Sequence, residues 1–451
     1  MPLTIPAVTR LTALKNSFKF YKNPLPFLMD GIAEFGNTYY SYLGGVERIL
    51  YTADPGLIQY VLQKNQKNFG KSRLQTKVLS RFAGRGLLTV EGEYWKQQRR
   101  LIQPGFHKEK LSGLVDIMLK VIDQQLDLLD RRLNEQEAVD INKEMMEMAF
   151  QIVAHSLFST NTQSENLEEL SDNITEIQRF VIKQIRQPFN IPWYHLSGQF
   201  RGADRTSAAT KKILLNFINT RRQQSGTYHD LLDMLLAARY EDTGQGMTDE
   251  QLVDESLIFF SAGHETSANA LSWIWYLLAK HPEIIQKLKA EIETVLGDRP
   301  PSFADLPQLS YTMQVIQEAL RLYPPAWIMD RKALSDDEYN GMKIPKGTMI
   351  FPFIYGVHRL PDLWDNPSEF NPDRFEKKNG KVRTPFSYIP FGGGPRMCIG
   401  VNFAYMEMQL VIVQTLRRMT LQLVPGQEVI EQPLITLRPA KEMWVQRESS
   451  T

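Results

Sequence analysis

Phe391-Gly392-Gly393-Gly394-Pro395-Arg396-Met397-Cys398-Ile399-Gly400 is the stretch on which the reading of this chain turns. Three consecutive glycines allow positive φ and let the backbone come close to a flat ligand. Downstream, Phe403, Met406, Leu410 and Val413 recur at spacings of three and four, which predicts a helix. Cys398 therefore stands just before a helix N-terminus, where partial positive charge and free N–H groups favour a thiolate. It is the sole cysteine of 451 residues, so no internal disulfide forms and the fold needs no oxidising compartment. A lone cysteine is usually a small buried hydrophobe, and the loop taken alone leaves that reading open. Zinc would want about three further protein ligands, and neither a second cysteine nor a His pair stands nearby. Iron held in a macrocycle needs only one ligand from this face.

Outward from that loop the chain changes character twice. Toward the N-terminus, Tyr39 to Leu43 and Val46 to Tyr51 flank Gly44-Gly45 and read as a β-hairpin. Asp54-Pro55 then sets a capping carboxylate before a proline suited to a first helical turn, and a helix through Gln59 to Leu62 should follow. From about Gly92 to Leu322 nearly everything reads helical, with breaks at Pro104-Gly105, Pro188 to Pro192 and Gly244 to Gly246. In the last third, Ala326 to Ala333, Met349 to Phe353, Leu421 to Val424 and Leu434 to Leu437 read as strands between Pro- and Gly-rich loops. The expectation is one mainly α body over residues 1–451. Its helical part covers about 92–322 and 400–418. A small β-rich lobe comes from about 38–52 and parts of 326–353 and 421–447.

Composition narrows the function classes. With 52 basic against 51 acidic residues the net charge is +1, so no overall field draws the protein to nucleic acid. The N-terminal segment breaks its apolar residues with Arg10, Lys15, Lys19 and Lys22, which suits neither a signal peptide nor a membrane-spanning helix of about 20 apolar residues. Peripheral membrane contact is left open there, no integral anchor is expected, and the simplest location is the cytoplasm.

The run Phe391-x-x-Gly394-x-Arg396-x-Cys398-x-Gly400 resembles the haem-binding signature of the cytochrome P450 family at every fixed position. Three further motifs fall in that family's order, so the resemblance covers essentially the whole chain. Glu318-Ala319-Leu320-Arg321 and Asn371-Pro372-Asp373-Arg374-Phe375 are similar to its Glu-x-x-Arg and Pro-x-Arg-Phe elements. The likeness implies a buried Glu318–Arg321–Arg374 network behind the cysteine loop, where an exposed pair at that spacing would be worth little. Ala262-Gly263-His264-Glu265-Thr266-Ser267, in a long apolar helix from about 250 to 280, resembles the family's acid–alcohol motif. A mid-helix glycine followed by hydroxyl residues predicts a local distortion. The likeness implies that Glu265 and Thr266 relay protons to the oxygen being activated, while a plain packed kink is the bland alternative. His264 occupies the variable position and reads either as a residue behind the oxygen site or as a packing residue. Trp95-Lys96-Gln97-Gln98-Arg99 is similar to the element whose indole and guanidinium hold a haem propionate, and Arg331 and Arg396 are further propionate candidates.

What the resemblance implies is a haem-thiolate monooxygenase. Cys398 would be the axial ligand of haem b, iron protoporphyrin IX, within a cradle that includes Phe391 and Gly400. One oxygen atom of O2 enters a C–H bond, by hydroxylation or O-dealkylation, and the other leaves as water. One haem domain uses up the chain, so electrons from NAD(P)H would arrive through a separate ferredoxin or flavodoxin and its reductase. The run Lys377-Lys378-Asn379-Gly380-Lys381 is either a docking patch for that partner or a solvated loop. By the same likeness the substrate pocket draws on the segment before Trp95, on residues around Phe180 to Trp193, and on Phe259, Ala262, Ala326 to Ile328 and Leu434 to Thr436. Its apolar lining favours a lipid, fatty acid or terpenoid, and a methylated sugar fits the same chemistry. Two alternatives stand beside this reading. One is a peroxide-using relative, which typically lacks the acid–alcohol pair; the other is a haem-based sensor or gas-binding module, which would carry an output domain.

Overall fold

The computed structural model describes residues 5–16, 20, 22–43, 47–158, 164–187, 190–224, 228–376 and 383–448. It divides into two compact units. The first draws on Met1–Ser72, Met313–Ile399 and Val429–Lys441; the second draws on Arg73–Thr312, Gly400–Glu428 and Glu442–Thr451.

The first unit is built on a five-stranded sheet. Its strands run in the order Thr38–Leu43, Glu47–Thr52, Met349–Pro352, Arg331–Ala333, Phe69–Gly70. The hairpin expected around Gly44-Gly45 forms, with Thr38 opposite Thr52 and Tyr40 opposite Leu50; its turn lies outside the described residues. Side chains alternate across the two faces, as a period of two requires. Tyr39, Ile49, Tyr51, Met349 and Phe351 join Leu25 and Leu28 of the helix Pro24–Phe35 on one side. Tyr40, Leu50, Ile350 and Ala333 join Leu57, Ile58, Val61 and Leu62 on the other. Both faces are covered, so the short strands are held by packing rather than by length.

Asp54 caps the helix Pro55–Gln59 as its position before proline foretells, accepting a hydrogen bond from the Leu57 amide at 2.5 Å. The helix expected to run on to Leu62 instead widens into a π-helical turn over Tyr60–Lys64. Two strand expectations are also corrected. Ala326 to Asp330 is irregular, and only Arg331–Ala333 pairs. Leu434 to Thr436 is the turn joining Glu431–Pro433 to Leu437–Pro439, because the Leu434 amide donates to the Thr436 carbonyl and Trp327 Nε1 takes the Leu434 carbonyl.

The same unit holds a buried ionic centre. Glu318 and Arg321 are fully buried, one helical turn apart. The Arg321 guanidinium carries five N–H groups, and each finds an acceptor: Nε and Nη2 donate to the Glu318 carboxylate, Nη1 to the His358 and Pro367 carbonyls, and Nη2 again to the Glu369 carbonyl. Glu318 also accepts from Arg374 Nε at 3.1 Å and from the Asn371 amide at 3.0 Å. His358 completes the shell. Its Nδ1 lies 3.2 Å from the Arg321 carbonyl, and its Nε2 accepts from the Ile389 amide at 2.9 Å. That pairing fixes the neutral tautomer with the proton on Nδ1. Burial, then the Arg321 and Arg359 charges, push the imidazole down to about 3.

The second unit is helical. The helix Asp249–Lys280 opens with a reciprocal capping box between Thr248 and Gln251 and runs unbroken to Lys280. The distortion expected at Gly263 does not interrupt it. The Thr266 hydroxyl is absorbed by the helix itself, donating to the Ala262 carbonyl at 2.6 Å. A Cβ on Gly263 would press on Val153 of the helix Ile141–Phe158, so the glycine serves close helix packing. The breaks expected at Pro104-Gly105 and Gly244 to Gly246 are a 3-10 turn over Gln103–Phe106 and a loop. Strands Leu421–Leu423 and Trp444–Arg447, which the sequence reading assigned to the β-rich lobe, pair here instead, in a three-stranded sheet with Val139–Asp140. Among the described residues no helix is long and apolar enough to cross a membrane.

Replacing Glu318 with alanine leaves Arg321 as an unpaired buried cation, a change that costs about 3–5 kcal/mol. Glu318→Ala should therefore show a markedly lowered unfolding midpoint in chemical denaturation. A midpoint equal to that of the wild type would mean that the charge finds a new partner.

Candidate active site

Cys398 follows the 3-10 turn Gly394–Arg396 and precedes the helix Val401–Arg418, for which Gly400 is the N-cap. Its amide donates to the Phe391 carbonyl at 3.0 Å, closing the loop on itself, and the Met397 amide donates to the Gly394 carbonyl. Gly392 and Gly394 take φ of +74° and +68°, a region open to glycine at little cost. Gly394 is further constrained, since a Cβ there would collide with the Leu62 carbonyl oxygen in the π-helical turn. A side chain on Gly393 would strike the ring of Phe386. Both neighbours belong to the same unit as the loop, and together they hold it in one shape.

The thiol that this loop presents is exposed, although free cysteine is among the most buried of residue types. Its loop is rigid, glycine-lined and backed by the buried ionic centre through Ile389 and Tyr388; Tyr388 Oη donates to the Gln317 carbonyl at 3.0 Å. Among the described residues no three His, Cys, Asp or Glu side chains are grouped to hold a metal ion. The donor set thus fits a prosthetic group that takes one thiolate ligand, as haem iron does.

The remaining candidates divide between the two units. In the first, Arg331 is buried at the start of its strand, with Nη1 donating to the Asp330 carbonyl. Arg396 donates from Nη1 to the Phe69 carbonyl at 2.9 Å, which ties the cysteine loop to the sheet edge. In the second, Trp95 is buried and Arg99 half-buried one turn later on the helix Gly92–Ile102, where Arg99 Nε donates to Gln103. Glu265 is buried and Thr266 half-buried in mid-helix, with Ala262 exposed one turn before them. His264 packs edge-on against Phe150 at 5.4 Å, and burial pushes it down to about 4, so it is a neutral packing residue. The lysine run 377–381 lies outside the described residues.

Of the segments read as pocket-forming, Phe180 packs on Phe82, Tyr194 and Phe200 in one apolar cluster. Phe259 meets Phe106 edge-to-face at the end of a cleft of about 680 Å³ between the helices Gly92–Ile102 and Leu231–Ala237. Sequence reading missed the Leu62 carbonyl, His358 and Glu407. The first is a backbone atom without a residue signature, and the other two belong to no motif that marks them in the sequence.

Residues 6–444 match the model of the family described as Cytochrome P450. The chain belongs to the cytochrome P450 family. It is 30% identical over 394 residues to "Cyclooctatin synthase" of Streptomyces melanosporofaciens, covering 87% of this chain and 85% of that protein. It is 31% identical over 413 residues to "Cyclooctat-9-en-7-ol 5-monooxygenase" of the same organism, covering 92% and 88%. Similarity also extends to a human "Ultra-long-chain fatty acid omega-hydroxylase", 31% identical over 434 residues, with 90% and 80% covered. The crystal structure of the cytochrome P450DA heme domain superposes with a TM-score of 0.86 at 22% identity, covering 100% of this chain and 98% of that one, a likeness of fold. The protein is thus a P450-type monooxygenase with the family's mainly helical fold and small β lobe, and haem b is its family's defining cofactor.

Gly394 tests the cradle directly. Gly394→Ala adds a Cβ against the Leu62 carbonyl at a backbone angle that alanine disfavours. The variant should purify with much reduced haem content by the pyridine haemochrome assay. Pro395→Ala beside it, at an exposed position, should keep its haem.

Proposed function

We propose that the chain, as a single haem domain over residues 1–451, inserts one oxygen atom from O2 into a C–H bond of a small, hydrocarbon-rich molecule. The observation that carries this reading is the exposed Cys398 thiol, held in a glycine loop clamped onto the Leu62 carbonyl and grounded on a buried ionic centre. Cys398 would be the sole axial protein ligand, with Phe391 and Gly400 framing it and Trp95, Arg99, Arg331 and Arg396 as the propionate-binding side chains. When bound, the thiolate-ligated haem supplies the activation of O2.

The protein's own part is to place the substrate, exclude bulk water and deliver two protons. Thr266 Oγ1 is the proton-handling hydroxyl. Its bond to the Ala262 carbonyl holds the side chain in one rotamer, leaving its oxygen free to accept from water. The Glu265 carboxyl would feed that water. General acid–base groups of this kind contribute about 10²–10⁴-fold. Electrons would come from NAD(P)H through a ferredoxin or flavodoxin and its reductase, in the cytoplasm. A hydrocarbon-rich substrate is supported by the aromatic cluster around Phe180 and by the fatty-acid and cyclic-alcohol names of the relatives.

Two measurements test the reading. Reduced protein under carbon monoxide should show the red-shifted Soret band of thiolate ligation, and Cys398→Ser should lose it. A histidine-type spectrum from intact wild-type protein would remove Cys398 from the iron. With a substrate found by spectral binding screens, Thr266→Ala should keep haem and binding but divert reduced cofactor from product to peroxide. Full coupling in that variant would leave Thr266 as a helix residue only, and Glu265→Gln should slow oxygen consumption.

A further inference from the structure

Glu407 is wholly buried in the middle of the helix Val401–Arg418, between Met406 and Met408 and below Leu410 and Val411. Neither of its carboxyl oxygens has a hydrogen-bond partner. An isolated carboxylate in such surroundings is so costly that the group keeps its proton instead. Ser267, itself buried, is the polar side chain that acts on it from the helix Asp249–Lys280. Ser267 directly follows Glu265 and Thr266.

The charged groups on the helices packed around Glu407 are engaged or exposed elsewhere. On Val115–Glu135, Asp123 and Asp127 pair with Arg418. On Pro282–Leu296, Glu291 accepts from the Tyr311 and Thr312 amides and Lys289 donates to Thr420. Lys108, Glu109 and Lys110 on Lys108–Leu111 face solvent; on Asp249–Lys280, His264 is neutral, and Glu265, two residues before Ser267, is also a buried carboxyl. The Glu407 carboxyl is left to burial, which pushes it up to about 8, against a smaller opposing pull from Ser267.

We propose that Glu407 is held as the neutral carboxylic acid and acts as a positioning residue, donating a hydrogen bond to Ser267 that fixes the helical turn carrying Glu265 and Thr266. A serine in mid-helix otherwise turns freely between rotamers and competes for the carbonyl one turn back. With Glu407 as donor, Ser267 Oγ accepts from it and passes its own proton toward the Gly263 carbonyl, so the turn from 263 to 267 has one arrangement. The inference rests on the monooxygenase reading for its functional half and on burial alone for its protonation half.

A raised carboxyl holds its proton in the folded chain where the unfolded chain has released it. Its stabilising share is complete below the ordinary 4.5 and fades as pH climbs through about 8. The test compares haem-loaded wild type, Glu407→Gln and Ser267→Ala. At neutral pH the infrared carbonyl band of a protonated carboxylic acid should be present in the wild type and missing from Glu407→Gln. The stability of the wild type should fall relative to Glu407→Gln as pH rises from about 5 to about 9. The ratio of product to reduced cofactor should drop in the wild type above pH 8, with peroxide rising, while Glu407→Gln, which keeps a donor and cannot ionise, stays coupled. Parallel pH profiles in stability and coupling would overturn the proposal, as would a missing infrared band. Should Glu407→Gln fail to fold, Ser267→Ala decides: lowered coupling at every pH with an unchanged Soret band supports the positioning role, and coupling equal to the wild type overturns it. Loss of the thiolate spectrum in the wild type would instead strike the monooxygenase reading, and the infrared and stability measurements would still report on Glu407.

Discussion

A guanidinium sealed from water must have every N–H group satisfied, and Arg321 meets that demand with five bonds to four separate points of the chain. Such a centre is expensive to bury and gives little net stability over an apolar replacement. What it does impose is geometry. The carbonyls of His358, Pro367 and Glu369 must converge on one plane, and Glu318 must hold Arg374 and the Asn371 amide as well. The turn at His358 and the segment 367–374 are thereby fixed.

The cysteine loop inherits that rigidity. His358 reaches from the ionic centre to the Ile389 amide, and Tyr388 reaches back to the Gln317 carbonyl. Three residues after Ile389 the glycine run begins, pressed between Phe386 and the Leu62 carbonyl. Cys398 stands just beyond that run. On this support it is held at one place with its amide closed onto the Phe391 carbonyl.

In the helical unit a different rule governs. The helix Asp249–Lys280 is buried over most of its length and carries polar residues where apolar ones would pack better. Thr266 bonds within its own helix, His264 stays neutral against Phe150, and Ser267 faces the carboxyl of Glu407. Local sequence conflict concentrated in one turn marks a functional segment, and here each member of the conflict has a separate physical resolution.

The pattern Phe-x-x-Gly-x-Arg-x-Cys-x-Gly, the hairpin around Gly44-Gly45, the Asp54-Pro55 cap and the long apolar helix were legible because each rests on local chemistry or short-range periodicity. The sequence by itself therefore determined the family, the mainly helical class and the cysteine loop. Long-range packing decided the rest. Residues 421–423 and 444–447 joined Val139–Asp140 because strand pairing depends on what lies opposite, not on propensity. Leu434 to Thr436 became a turn once Trp327 claimed the Leu434 carbonyl. Gly263 proved to be a packing contact with Val153 rather than a kink. The family likeness already implied that Glu318–Arg321 is buried, and the structure bears it out; whether Glu407 was one more helix-surface acid or a sealed one could be read only after the chain had closed around it. Burial sets the energy of a charge, and burial is a property of the tertiary structure.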